Sequence, residues 1–418
     1  MRIKSIYVND FKSLRDFRCE FAPFTILTGP SGSGKTAVKD LVETLAGMLE
    51  YADLGLNNKK KAHNIAASIH HTPVMVFELT FTDKDKTYCW QGSYDRNKMN
   101  MDSEAVFMFT EYKVRQYKGL MRYQNGVLYT EGQKAMALNS SSRSILSYVD
   151  TREGYSGVDI DLASFHNYIL NLKAANNFIK SIKDGTLSLF DAFLSFRKKE
   201  REKIIKEFAA FYPKQAALLF ENFKDATNHK KSKSALMEAL LNERMPSRMR
   251  NIFEQILLEN MTQSGGVLWI DDADSNIDLG LYRCYIENLL AISENKQVIV
   301  SMREPEMMNS INLDTAEDGT RYMLQNGRGE TEVYDFMKLP FIDDIKEKIL
   351  VKDYYVPQLG DLFQETSLAR EKFEDARYAA TMTPAEKYRN SIWQKSDASE
   401  TETAVQEEEP EKQPGFSR

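Results

Sequence analysis

The chain has 418 residues, of which 42% are hydrophobic and 28% charged, and its formal net charge is −6. That length provides two or three domain-sized units with a substantial core, and that composition excludes a fibrous or wholly disordered protein. Residues 396–418 hold seven acids and two bases, a net of −5, so the body is almost neutral. A basic DNA-coating protein is thereby excluded, whereas a local basic patch is not. No run approaches the roughly 18 apolar residues a bilayer span requires, and Met1-Arg2-Ile3-Lys4-Ser5 lacks the apolar core of a secretory signal. Cys19, Cys89 and Cys284 are scattered singly, so neither a disulfide framework nor a zinc site is indicated. The expectation is a cytoplasmic protein with no membrane segment.

Residues 2–8 and 17–21 read as two short strands flanking Asp10-Phe11-Lys12-Ser13-Leu14-Arg15. Phe24-Thr25-Ile26-Leu27-Thr28 is a third, buried strand. It runs into Gly29-Pro30-Ser31-Gly32-Ser33-Gly34-Lys35-Thr36, which fits the phosphate-binding loop pattern. Glycines let the backbone curl so that successive N–H groups converge on phosphate oxygens, in front of a helix N-terminus. Lys35 supplies a point charge for the β- and γ-phosphates, and Thr36 a hydroxyl for Mg²⁺. Val38, Leu41, Val42, Leu45, Met48 and Leu49 then recur at helical spacing.

Beyond that helix, Asn57-Asn58-Lys59-Lys60-Lys61 reads as a polar connection. From 74 to about 129 the pattern is β-branched and aromatic, with Asn125-Gly126 as a two-residue hairpin signal. An antiparallel lobe inserted after the first helix is expected. From about 145 to 258 the periodicity is helical: Phe165, Tyr168, Ile169 and Leu172 share one face, and Ile204, Ile205, Phe208 and Phe211 another. Sustained heptads are missing, so no long coiled coil is expected. His229-Lys230-Lys231-Ser232-Lys233-Ser234 is a basic patch suited to meeting phosphates. A strand at 266–271, a helix at 277–292, a buried strand at 297–301 and a hairpin at 321–325 and 330–334 follow. The acidic, weakly hydrophobic stretch beyond 395 reads as a disordered tail.

A phosphate loop needs a carboxylate for its metal and a second to orient an attacking water. Val267-Leu268-Trp269-Ile270-Asp271-Asp272 ends a strand with both: Asp271 for the Mg²⁺ shell and Asp272 beside the γ-phosphate. Asp271-Asp272-Ala273-Asp274-Ser275-Asn276-Ile277-Asp278 resembles the Walker B and D-loop of SMC-like and RecF-like ATPases. Gln297-Val298-Ile299-Val300-Ser301-Met302-Arg303-Glu304 is similar to their switch strand, and Phe11-Lys12-Ser13-Leu14 to the opening of an ABC-type head. Arg244-Met245-Pro246-Ser247-Arg248-Met249-Arg250 occupies the place of the signature motif. The β-lobe and short helical region resemble ATPases of the OLD type more than true SMC arms. The resemblance covers about residues 1–130 and 240–335.

This resemblance implies an α/β P-loop NTPase of ABC-head type with an antiparallel β-lobe, a helical insertion and an acidic tail. It divides the chain into residues 1–140 (first half of the head, with the lobe), 141–240 (helical insertion), 241–340 (second half), 341–395 (helical extension) and 396–418 (tail). It implies ATP and Mg²⁺ held by Gly29, Pro30, Ser31, Gly32, Ser33, Gly34, Lys35 and Thr36, with Thr36 and Asp271 on the metal. Lys35, Asp272 and Arg303 take the catalytic positions, and Ser247 contacts a partner's nucleotide. Two copies, or a higher homo-oligomer, would close on ATP and control a separate effector subunit or a DNA-directed activity, as in anti-phage or repair ATPases. No Glu with Asp-x-Asp set for a Toprim nuclease is visible between residues 302 and 395. The chain departs from the family where Asp272 replaces the usual Glu, Arg303 replaces a switch His, and Pro246 and Arg248 interrupt the signature. Gln91 is the candidate Q-loop glutamine. The departures leave open a nucleotide-dependent scaffold that hardly hydrolyses ATP. A small-molecule kinase is the third alternative, and it lacks an arginine-rich lid.

Overall fold

The computed structural model describes residues 1–49, 56–83, 86–110, 117–125, 127–130, 136–137, 144, 146, 160–226, 238–242, 245–262, 265–275, 277, 279–303 and 319–338. The basic stretch 229–234, the extension 341–395, the tail 396–418 and, within the D-loop, Asn276 and Asp278 lie outside these residues.

Two sheets make the frame. The larger has the order β2-β1-β4-β5-β6-β7-β8-β9 and is antiparallel throughout. Its strands are β1 (Arg2–Asn9), β2 (Phe17–Glu20), β4 (Val74–Asp83), β5 (Lys86–Asp95), β6 (Asn100–Thr110), β7 (Tyr117–Gln124), β8 (Val127–Thr130) and β9 (Met136–Ala137). The lobe is therefore not confined to an insertion after the first helix. β1 pairs with β4 across some 70 residues, so the opening strands belong to it. Asn125, in the predicted hairpin turn, has φ 51°, a left-handed conformation that Asn tolerates.

The smaller sheet has the order β10-β11-β3-β12-β13, with β3 (Phe24–Thr28) central. β10 (Val267–Ile270), β11 (Gln297–Ser301), β3 and β12 (Thr320–Gln325) run parallel, and β13 (Thr331–Asp335) returns antiparallel. Every residue of β3, β10 and β11 is buried, as expected of parallel strands covered on both faces. Alternation sorts their side chains. Leu27, Trp269 and Ile299 face a core shared with the lobe and α1 (Lys35–Leu49). Ile26, Leu268, Ile270 and Val300 face a second core built by the helices.

Those helices are α3 (Ile160–Lys183), α4 (Leu189–Leu194), α5 (Lys198–Phe211), α6 (Pro213–Ala226), α7 (Ser247–Met261) and α8 (Tyr282–Ser293). The periodic residues are the buried ones: Ile204, Ile205, Phe208 and Phe211 on α5, and Val38, Leu41, Val42 and Leu45 on α1. The helix expected over 277–292 starts later, as a short 3₁₀ turn at Leu279–Leu281 that leads into α8. The polar connection expected at 57–61 is instead part of α2 (Leu56–Ala67). That helix buries Ala62, Ile65 and Ala66, downstream of its lysines. Packing at its C-terminal half thus carries a polar first turn into the helix.

The two sheets are stitched by Gln297. Its Oε1 accepts from Ile3 N at 2.7 Å, and its Nε2 donates to Ile3 O at 2.7 Å and Ala22 O at 3.1 Å. A buried amide side chain thereby satisfies the backbone groups of Ile3, which lies in β1 beyond its last pair with β2, as another strand would.

Candidate functional site

The ends of β3, β10 and β11 lie side by side, where crevices of open α/β sheets collect function. Gly29 leaves β3 with φ 138°, and Gly34 has φ 97°. Neither position has room for a side chain. A Cβ on Gly29 would lie 2.1 Å from Met323 O in β12, and one on Gly34 would lie 2.1 Å from Thr331 Oγ1 in β13. The loop is thus seated on the β12–β13 hairpin. Thr331 is itself fixed by Ser13, donating through its N to Ser13 O and through its hydroxyl to Ser13 Oγ, each at 2.7 Å. Lys12 braces the other flank by pairing with Asp40 of α1 at 2.5 Å.

Lys35 opens α1 and folds over the loop. Its Nζ donates to Gly29 O at 2.6 Å, Pro30 O at 2.8 Å and Ser33 Oγ at 3.2 Å. Burial draws its pKa below the ordinary 10.5; Asp272 opposes that shift and Arg303 adds to it. Thr36 Oγ1 donates to Asp271 Oδ2 at 3.0 Å. Asp271 Oδ1 accepts from Ser301 Oγ at 2.5 Å, and the same hydroxyl accepts from Asp272 N at 2.8 Å. A hydroxyl and a carboxylate so placed are hard oxygen donors that fit Mg²⁺, which takes few protein ligands beside phosphate oxygens. Among the described residues no group of three or more His, Cys, Asp or Glu is placed to hold a metal alone.

Asp272 sits in the left-handed region at φ 52°. Both its carboxylate oxygens are engaged by Arg303, through Nε to Oδ1 at 2.8 Å and through Nη2 to Oδ2. This bidentate hydrogen bonding, reinforced by the charge of Asp272, raises the Arg303 pKa further. Arg303 N also donates to buried Asp274 Oδ2 at 2.6 Å. The turn is tied to α7, where Asn251 Nδ2 donates to Ser275 O.

The structure therefore gathers Gly29–Thr36 with Asp271, Asp272 and Arg303. Ser247 lies exposed in the first turn of α7, after Pro246. Gln91, the candidate Q-loop glutamine, sits mid-strand in β5 opposite Glu78 and Ala105. Sequence reasoning missed the roles of Ser301 and Thr331. The signal for Ser301 was a hydroxyl ending an otherwise apolar buried strand; Thr331 had none.

Among the described residues no helix is long and apolar enough to cross a membrane. No curated protein matches the sequence. Solved structures similar in fold include an SMC head domain from Thermotoga maritima, at 12% identity and TM-score 0.42, over 80% of this chain and 99% of that one. Another is an SMC head bound to the C-terminal winged-helix domain of ScpA, at 13% identity and TM-score 0.41, over 80% and 97%. A third, from Pyrococcus furiosus, is an Smc head with an extended coiled coil bound to the C-terminal domain of ScpA, at 12% identity and TM-score 0.38, over 84% and 100%. The AAA domain profile AAA_23 matches residues 5–263, which is more than half the sequence and takes in the phosphate loop and lobe but ends before Asp271. With that match and a phosphate loop at the end of a central parallel strand, the chain belongs to the AAA_23 family of AAA domains.

Proposed function

We propose that this protein is a Mg²⁺-dependent ATP-binding and ATP-hydrolysing head that closes on a second copy and controls a partner. The observation that carries the reading is the chain Thr36–Asp271–Ser301, which joins the phosphate loop to two neighbouring strand ends. Backbone N–H groups of the loop and Lys35 hold the β- and γ-phosphates. Mg²⁺ bound at Thr36 and Asp271 supplies charge neutralisation for the phosphate oxygens. Asp272 orients and polarises the attacking water, and Arg303 both positions that carboxylate and offers its remaining N–H groups to the γ-phosphate. The exposed first turn of α7, with Ser247 and Arg248, suits the nucleotide of a second copy, since a helix N-terminus favours anions.

Turnover and ATP-driven dimerisation measured side by side test the reading. Asp272→Asn is expected to abolish turnover and to stabilise the ATP-bound dimer; retained turnover would sink the assignment of Asp272. The pairing of Arg303 with both oxygens of Asp272 favours a second reading, a nucleotide-dependent scaffold with slow hydrolysis. In either reading the partner is a separate effector subunit, acting on DNA or protein in anti-phage defence or repair. Purification with the products of neighbouring genes, with and without ATP, identifies it.

A further inference from the structure

One row of side chains crosses the outer face of the large sheet. Antiparallel register sets Tyr7 of β1 opposite Glu78 of β4, and Glu78 opposite Gln91 of β5. It continues with Gln91 opposite Ala105 of β6, Ala105 opposite Arg122 of β7, and Arg122 opposite Tyr129 of β8. Directly paired residues point to the same side of a sheet, so all six share one face. Their neighbours along the strands, such as Leu79, Trp90 and Val106, point the other way, into the core shared with α1. The face holds a dish of about 410 Å³. Gln91, Arg122 and Tyr129 on it are exposed, the last by 50%.

This row is complementary to itself. The sheet has eight strands, and its middle falls between β5 and β6. β4 and β7 lie equally far from that line, and so do β1 and β8. A second copy laid face to face, turned about a two-fold axis along the line, sets its β7 over β4 and its β8 over β1. Because the row runs across the axis, it meets itself. Glu78 meets Arg122 of the partner subunit, Tyr7 meets Tyr129 of the partner subunit, and Gln91 meets Ala105 of the partner subunit, each contact made twice. An acid faces a guanidinium, a ring faces a ring, and a long amide faces a small side chain. Packed sheets cross at about 30°, and Glu78 and Arg122 sit only about 7 Å from the axis at ordinary strand spacing, where that crossing displaces them little.

The charges favour a second copy over a polyanion. Arg18, opposite Tyr7, lies over the Tyr7 ring at 5.1 Å and reaches Glu78 only at 3.8 Å, so Glu78 keeps room for another guanidinium. Arg122 donates to Gln124, and its cross-strand neighbours Ala105 and Tyr129 carry no charge. One acid between two arginines makes a weak field for a nucleic-acid backbone. It suits a surface that presents the same groups in reverse order. We propose that the outer face of the lobe binds a second copy of this chain, in the two-fold arrangement that pairs Glu78 with Arg122 of the partner subunit. This contact is separate from the ATP-driven closing of two heads and does not rest on it; the two contacts together would build a tetramer.

Sedimentation of the full-length, nucleotide-free chain across a range of concentrations tests it. A monomer–dimer equilibrium is expected. Glu78→Arg and Arg122→Glu are each expected to weaken dimerisation at least tenfold, and mixing the two variants to restore it, since every reversed charge then meets its opposite. Within one chain these positions are three strand spacings, about 14 Å, apart, so recovery on mixing reports a contact between copies. Gln91→Lys, at the exposed centre, is expected to weaken dimerisation likewise while leaving the Arg18–Glu78 pair intact, which guards against a folding defect in Glu78→Arg. A chain that stays monomeric at every concentration overturns the proposal, as does a dimer that none of the three variants weakens. Folded single variants, by circular dichroism, that fail to associate on mixing overturn it too. A monomer that instead binds a single-stranded oligonucleotide, and loses it in Arg122→Glu, assigns the face to nucleic acid and overturns it as well. Addition of a non-hydrolysable ATP analogue and Mg²⁺ separates the two readings: a dimer that grows no further counts against closing of the heads and leaves the lobe contact standing.

Discussion

Ser301 and Asp271 stand at the ends of adjacent parallel strands, and the serine hydroxyl donates to Asp271 Oδ1 at 2.5 Å while receiving Asp272 N at 2.8 Å. One buried hydroxyl therefore sets the carboxylate of one aspartate and the backbone of the next. Ser301→Ala removes both bonds and leaves a backbone N–H unpaired. A loss of about 1–2 kcal/mol is expected in Mg²⁺-dependent nucleotide binding, roughly a fivefold to thirtyfold rise in the Mg²⁺ midpoint. A Mg²⁺ titration of nucleotide affinity checks it. An unchanged midpoint would show that Thr36 alone positions Asp271.

The Asp272–Arg303 pair separates catalysis from binding. Asp272→Asn is expected to lower turnover at least a hundredfold, and Arg303→Ala about tenfold, with nucleotide affinity changed less than about threefold in both. Steady-state turnover beside equilibrium nucleotide binding reads the split. A rise in basal turnover for Arg303→Ala would instead mark the arginine as a restraint on Asp272 and favour the scaffold.

The glycines of the phosphate loop are expected to rank by what lies beneath them. A Cβ on Gly29 meets the backbone of Met323 at 2.1 Å, whereas one on Gly32, at φ 83°, meets nothing within 4 Å. Gly29→Ala is expected to cost more than about 4 kcal/mol of stability, and Gly32→Ala about 1–2 kcal/mol, from backbone strain alone. Urea unfolding of the two variants gives the order; equal losses would mean that the hairpin moves aside.

Asp10 makes one part of the stability depend on pH. Burial pushes its pKa up, but hydrogen bonds from the backbone of Thr72, the Thr72 hydroxyl and the N–H groups of His70 and His71 outweigh that, and the net shift is downward from 3.8. A lowered carboxylate pKa contributes stability that is fully present above 3.8 and lost as pH falls through the lower folded value. Asp10→Asn keeps the left-handed backbone, φ 71° in the wild type, while it removes the charge and turns one accepting oxygen into an NH2 group. It is expected to destabilise by about 1–3 kcal/mol at pH 7, with the gap to wild type closing as the solution is acidified below pH 3.8. Denaturant midpoints across that range test it, and a constant gap would contradict it.

What the sequence disclosed was local. Gly29–Thr36, the buried face of α1 and the two aspartates after β10 each carry their signal within a dozen residues, so periodicity and spacing suffice. What it withheld was long-range. Ser13 and Thr331 are 318 residues apart, and nothing in either segment announces that one holds the other beneath Gly34. The pairing of β1 with β4 and the helix at Leu56–Ala67 were hidden for the same reason: partners distant in sequence decide both.

The stitch made by Gln297 has a mechanical result. β11 carries Gln297, fastened to the first strand of the lobe, at one end and Ser301, fastened to Asp271, at the other, about 13 Å apart at the rise of a parallel strand. A strand hydrogen-bonded on both sides within its sheet neither stretches nor slips. The lobe and the two aspartates therefore travel as one rigid lever. Any stroke driven at the phosphates is then expected to pivot at the helical side, where Asn251 of α7 donates to Ser275 O in the turn after Asp272.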